Sequence, residues 1–154
     1  MNRMTNRTTR LPAVNERRLM RDLNAIGRIG IGDHGAVTRL VFSIKELRSR
    51  QVLIHLMRQA GLTIRIDAIG NIFGRFDGSD RRAPPVLAGS HLDTVIHGGK
   101  YDGPVGVIGA LEAVRTISEN KIPVRSPLEV VWFVGEELSR FGFSTLGSSL
   151  APRE

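Results

Sequence analysis

The stretch GSHLDTVIHGGKYDG, residues 89–103, sets His91, Asp93 and Asp102 among glycines, and further on FVGEELSRF carries two adjacent glutamates, Glu136 and Glu137. The sequence has no cysteine, which removes disulfides, thiolate zinc sites and cysteine nucleophiles and leaves the redox compartment undetermined. Any metal must then be held by imidazole and carboxylates, a donor set that suits zinc or manganese better than calcium or copper. His91 and Asp93 are two apart and share a face in extended backbone. An aspartate so placed can hydrogen-bond the ring nitrogen that is not on a metal and fix the tautomer. Asp102 precedes Gly103-Pro104 at a predicted helix start, where the backbone dipole favours a carboxylate able to bridge two cations. Adjacent glutamates at a strand end point in different directions, so one of Glu136 and Glu137 can bind metal while the other takes a proton from an activated water. Glycines 98, 99 and 103 let backbone approach closely. Singly, each signal has a plainer reading: a hydrogen-bonded histidine, a solvated Glu-Glu pair, a turn with a helix cap. His34, His55 and His97 are read as structural.

For these residues to meet, the chain must bring two strand ends together. Val86–Gly89 and Leu128–Val134 are short uninterrupted apolar runs, as in buried parallel strands. Between them Val105, Ile108, Leu111 and Val114 repeat at helical spacing over about 104–120, with Pro104 in the first turn. The span 86–134 therefore reads as β-α-β, and open parallel sheets gather ligands in the loops beyond their strands' carboxyl ends. Upstream, helices are predicted over 15–27, behind Asn15, and from 44 to about 60, behind the capping box Ser43-Ile44-Lys45-Glu46. Alternation at Leu62, Ile64 and Ile66, then a run from Ile72 to Phe76, predicts a hairpin or paired strands, and 77–85 a surface loop.

With 154 residues the chain has the length of one domain. Its net charge of +7 is concentrated at one end, where Arg3, Arg7, Arg10, Arg17, Arg18, Arg21 and Arg28 are opposed by Glu16 and Asp22. No aromatic residue is interleaved there to stack on bases, so residues 1–14 read as a solvated, disordered basic leader and no nucleic-acid partner is expected. Residues 1–12 share the arginine and threonine content of organelle transit peptides but lack the apolar region of a secretory signal, and a cytoplasmic location is the expectation. No run of 18 apolar residues exists to span a membrane.

GSHLDTV, GGKYDGPVGVIGALEAV and EELSRF with a following GSS resemble the signature of dinuclear metallohydrolases related to aminoacylases and glutamate carboxypeptidases. Together with GAVTRLVFS and AGLTIRIDAIGNIFGRFDG, they are most similar to the N-carbamoyl-L-amino-acid hydrolase and allantoate amidohydrolase branch, over about residues 15–150. The fold this resemblance implies is α/β, the N-terminal part of a phosphorylase/hydrolase-like catalytic domain with a β-α-β core and an incomplete sheet. It implies two divalent metal ions, zinc or manganese, with His91 on one, Asp102 bridging, Glu137 on the other, Glu136 as general base and Asp93 orienting His91. The implied reaction is hydrolysis of a carbamoyl or amide C–N bond in a small-molecule substrate of the N-carbamoyl-L-amino acid, allantoate or ureidoglycolate type. Where the branch commonly carries an acidic or amide residue before the glutamates and glycine after them, this sequence has Gly135 and Leu138.

Full-length relatives are homodimers with an inserted dimerisation domain and two further histidine ligands, and His34, His55 and His97 match neither position. Residues 15–154 are thus expected to form a partial catalytic domain, with three protein ligands for two metals, little activity alone and an apolar edge that favours self-association. The alternative is a catalytically dead interaction or regulatory module that retains the fold.

Overall fold

A computed structural model describes residues 12–151; the leader expected over residues 1–14 falls mostly outside them. The elements run α1 (Glu16–Gly27), α2 (Ile44–Gln59), β1 (Thr63–Ile66), β2 (Ile72–Phe76), β3 (Val86–Ser90), α3 (Pro104–Glu119), β4 (Leu128–Trp132) and α4 (Leu146–Leu150). A 3-10 turn, Asp33–Gly35, lies between α1 and α2. The helices start where orphan amides find acceptors. Asn15 Oδ1 accepts from the Arg18 amide at 3.0 Å, and Ser43 Oγ from the Glu46 amide at 3.2 Å. The return bond of the second cap runs from the Phe42 amide to Glu46 Oε2 at 3.0 Å, one residue earlier than a capping box predicts.

The four strands form one mixed sheet in the order β1-β2-β4-β3. β1 and β2 form the antiparallel hairpin, β2 pairs antiparallel with β4, and β3 pairs parallel with β4, so 86–132 is the β-α-β unit the apolar runs predict. Alternation along β4 sends Leu128, Val130 and Trp132 to the helical side, where they join Leu53, Met57, Leu92, Val107, Ile108 and Leu111 in the core. Gly74 on β2 lets Met57 and Leu62 reach the sheet, since a β-carbon there would stand 2.9 Å from Met57 Sδ. Buried charges tie the helices to one another: Arg115 to Asp22 at 2.6 Å, and Arg18 to Glu112 at 2.7 Å.

One expectation is overturned. β3 reads as a buried strand but is an edge of the sheet, with Val86 57% and Leu87 47% exposed. Its apolar run reflects a strand covered by α3 on one side and by nothing among the described residues on the other. On that second face Arg65, Phe73, Arg75, Leu87 and Glu129 border a cavity of about 520 Å³.

Candidate metal centre

β3 and β4 end side by side, Ser90 opposite Trp132, and the Phe133 amide donates to the Ser90 carbonyl at 2.8 Å. The segments beyond, 91–95 and 133–137, therefore leave the sheet as neighbours. Leu92 is fully buried in the core and anchors the first of them. In the second, Gly135 takes φ +64° and turns the chain at the end of β4. That conformation favours glycine, aspartate and asparagine, which accounts physically for the glycine found where the resembling branch commonly has an acidic or amide residue.

Asp93 joins the two segments. Its buried carboxylate accepts from the Glu137 amide at 3.0 Å through Oδ2 and from the Glu136 amide at 3.3 Å through Oδ1. Capping two consecutive amides curls the glutamate pair around Asp93, and both carboxylates come to the same place rather than diverging. One ligand atom from each of His91, Glu136 and Glu137 lies within 4.8 Å of the others.

The His91 ring is buried, with Nδ1 3.0 Å from the main-chain carbonyl of Asp93 and 3.7 Å from its carboxylate. The hydrogen bond that sequence reasoning gives to the Asp93 side chain is thus made by its main chain. A carbonyl oxygen only accepts, so Nδ1 carries the proton and Nε2 is left with its lone pair. Nε2 faces Glu136 Oε2 at 3.7 Å and Asp102 Oδ1 at 3.9 Å. Asp102 stands outside the 4.8 Å triplet and its side chain is 77% exposed. Gly103, the N-cap of α3 with φ +81°, lies flat against the ring: a β-carbon there would be 2.7 Å from His91 Cε1 and 2.8 Å from Nδ1. Of the other two glycines singled out, Gly98 bridges to Val37 and Gly99 faces open space. His34, His55 and His97 are exposed, and none joins the triplet.

Electrostatics follow from burial and crowding. Burial by itself would lower the pKa of His91, but the Asp93 carboxylate and carbonyl and the charge of Glu136 outweigh it, and the ring's pKa is raised. Burial would raise Asp93, yet the His91 ring and the two amides hold its carboxyl below the ordinary value. Glu137 is raised, first by burial and then by Glu136, Asp102 and Asp93, with His91 opposing. Carboxylates crowded around Glu137 beside an imidazole with a free Nε2 form a donor set that a divalent cation fits, because its charge relieves the repulsion that raises Glu137. Among the described residues His91, Glu136 and Glu137 are placed so that they could hold it, and Asp102 stands 3.9 Å from the same ring nitrogen.

Several supporting residues are assigned no role by the sequence alone. Arg39 is fully buried, and its main chain exchanges hydrogen bonds with Thr94: Arg39 amide to Thr94 Oγ1 at 2.9 Å and Thr94 amide to the Arg39 carbonyl at 3.0 Å. Asn71 Oδ1 accepts from the Val134 amide at 3.0 Å while its Nδ2 donates to the Gly147 carbonyl at 3.0 Å, pinning the end of β4 to α4. Arg140 donates to the Val41 carbonyl at 2.6 Å. Upstream, GAVTRL and IGN are the stretches in which Arg39 and Asn71 stand, but only the contacts show what these residues do.

A family model described as peptidase family M28 matches residues 71–151, from the hairpin's second strand through α4. This chain belongs to that family. Among its relatives, the ureidoglycolate hydrolase of Oryza sativa subsp. japonica is 43% identical over 132 residues, which is 86% of this chain and 27% of that protein. The N-carbamoyl-L-amino acid amidohydrolase of Geobacillus stearothermophilus is 44% identical over 131 residues, 85% of this chain and 32% of that protein. A solved hydantoinase/carbamoylase family amidase from Burkholderia ambifaria superposes with a TM-score of 0.88 at 42% identity, over 92% of this chain and 35% of that one. The chain thus spans about a quarter to a third of the length of the curated relatives it matches. The mixed α/β fold is that of the hydantoinase/carbamoylase amidases over the matched part. No helix of the described residues is long and apolar enough to cross a membrane.

Proposed function

We propose that the chain carries part of the active site of a metal-dependent amidohydrolase that cleaves a linear carbamoyl or amide C–N bond, in a substrate of the N-carbamoyl-L-amino acid, allantoate or ureidoglycolate type. The supporting observation is the convergence of His91, Glu136 and Glu137 within 4.8 Å, with Asp102 3.9 Å from the same ring nitrogen. In this reading His91 and Glu137 each serve one of two divalent ions, zinc or manganese, and Asp102 lies between them. Such ions, when bound, polarise a substrate carbonyl and lower the pKa of water. Glu136 accepts the proton of the attacking water and delivers it to the leaving nitrogen. Its side chain is 40% exposed and reaches substrate from the open side. Asp93 touches no reacting atom: it holds the His91 loop and the glutamate loop in one frame.

A catalytic cation takes about three protein ligands, so three donors for two ions make a half site, and residues 1–154 alone are proposed to turn over little substrate. The test is hydrolysis of N-carbamoyl-L-amino acids, allantoate and ureidoglycolate with added manganese or zinc. Two proteins are compared, the chain itself and the chain fused to the part of the Geobacillus stearothermophilus amidohydrolase that it does not cover. Turnover confined to the fusion and lost in Glu136→Gln supports the reading. Equal turnover by the chain alone contradicts the half site, and a fully active Glu136→Gln fusion contradicts the role of Glu136.

A further inference from the structure

Arg39 sits directly behind the His91 segment and belongs to no motif of the site. Its side chain is completely buried. Nε donates to the Leu92 carbonyl at 2.5 Å, and Nη1 donates to the carbonyls of Ile26 at 3.0 Å and Ile29 at 2.7 Å, at the end of α1. Among the described residues no carboxylate hydrogen-bonds this guanidinium, and its Nη2 has no partner. A buried cation whose hydrogen bonds go to carbonyls is costly, with the charges of Asp93 and Glu46 offsetting part of that cost, and it is placed where it does one mechanical job. The Leu92 carbonyl belongs to the peptide unit that joins Leu92 to Asp93, so fixing it fixes the plane from which Asp93 departs, one residue after His91. The C-terminal carbonyls of α1 carry the negative end of the helix dipole and complement the guanidinium.

We infer that Arg39 is a positioning residue for the metal centre: by clamping the Leu92 carbonyl to the end of α1 it sets both the His91 ring and the Asp93 carboxylate that caps Glu136 and Glu137. The inference rests on the reading of that cluster as a metal site, and its test keeps the two apart. Arg39 is a forked planar donor, and lysine supplies one of its bonds but not the fork. Arg115 serves as control. It is also buried and charged, but it pairs with Asp22 and the Leu56 carbonyl within the helical layer, away from residues 91–93.

Arg39→Met, Arg39→Lys and Arg115→Met are compared with the unaltered chain in two measurements, cobalt(II) affinity from the visible absorption of the bound ion and amide hydrogen exchange of metal-free protein at Glu136 and Glu137. Arg39→Met is expected to weaken cobalt binding by about tenfold or more, the range found when groups supporting a ligand are lost. It is also expected to speed exchange at Glu136 and Glu137 beyond any global change, with partial recovery in Arg39→Lys. Arg115→Met is expected to lower global stability with no selective effect at those amides. Selective protection unchanged in Arg39→Met overturns the inference, whether or not cobalt binds. An unaltered chain that binds no cobalt overturns the metal reading and leaves hydrogen exchange to decide the role of Arg39.

Discussion

The Asp93 carboxylate accepts from the Glu137 amide at 3.0 Å, and this bond fixes the site more than any contact between its candidate ligands. Its second oxygen takes the Glu136 amide at 3.3 Å, so one buried acid sets the position of two. Asparagine at this position keeps one acceptor but turns an NH2 group towards a buried amide. Asp93→Asn is expected to cost about 1–3 kcal/mol of stability, the usual penalty for an unsatisfied buried group, and to abolish high-affinity metal binding. Urea unfolding of metal-free protein checks the first and cobalt titration the second. A variant with unchanged stability and affinity contradicts the clamp.

Because the pKa of His91 is raised in the fold, its protonated form contributes stability fully present below the ordinary value of 6.5 and lost as pH rises through the folded value. Asp93 is lowered, so its contribution is present above the ordinary 3.8 and is lost as pH falls through its folded value. Glu137 is raised from 4.5, so its contribution also falls away as pH climbs, and metal-free protein is expected to be most stable in the lower part of the window between 3.8 and 6.5. Protons and a cation compete for Nε2, so metal affinity is expected to climb as pH rises through the folded His91 value. Nitrogen NMR of the His91 ring in the chain and in Asp93→Asn checks the sign: the substitution should lower the ring's pKa.

Gly103→Ala places a methyl group 2.7 Å from His91 Cε1 and 2.6 Å from its carbonyl oxygen at a φ of +81°. The backbone conformation alone costs an alanine about 1–2 kcal/mol, and the ring must move. Loss of metal binding is expected, whereas Gly99→Ala, with nothing within 4 Å of the added carbon, is expected to bind as before. Equal binding by both would show that the ring is not held by Gly103.

The exposed edge strand β3 makes a separate prediction. Val86 and Leu87 stand 57% and 47% exposed beside an unpaired strand edge, the feature that templates association. Sedimentation is expected to show concentration-dependent self-association that Leu87→Lys reduces; a well-behaved monomer at all concentrations would contradict it.

Much of this was legible in the sequence because periodicity and punctuation agree. Asn15, Ser43 and Pro104 mark three helix starts within a residue, and the alternation at Ile64 and Ile66 and the run from Ile72 give the hairpin. His91, Asp102, Glu136 and Glu137 stand out because β-α-β topology puts strand ends side by side. The exposure of β3 was hidden because an apolar run reports side-chain type and not what lies across the sheet. Arg39 and Asn71 were hidden for a different reason: the partners that tie them to the site are main-chain groups of Leu92 and Val134, more than fifty residues away, and backbone groups leave no mark in a sequence. The same holds for Asp93, whose carboxylate caps amides while its carbonyl holds the ring.

The central claim is that His91, Asp102 and Glu137 hold divalent metal beside Glu136. Its most direct measurement is a crystal of the chain grown with cobalt or zinc, with anomalous scattering at the metal edge. The account predicts a peak within coordination distance, about 2 Å, of His91 Nε2 and of at least one of the Asp102 and Glu137 carboxylates. Full occupancy elsewhere on the protein, with His91 Nε2 free, would contradict it.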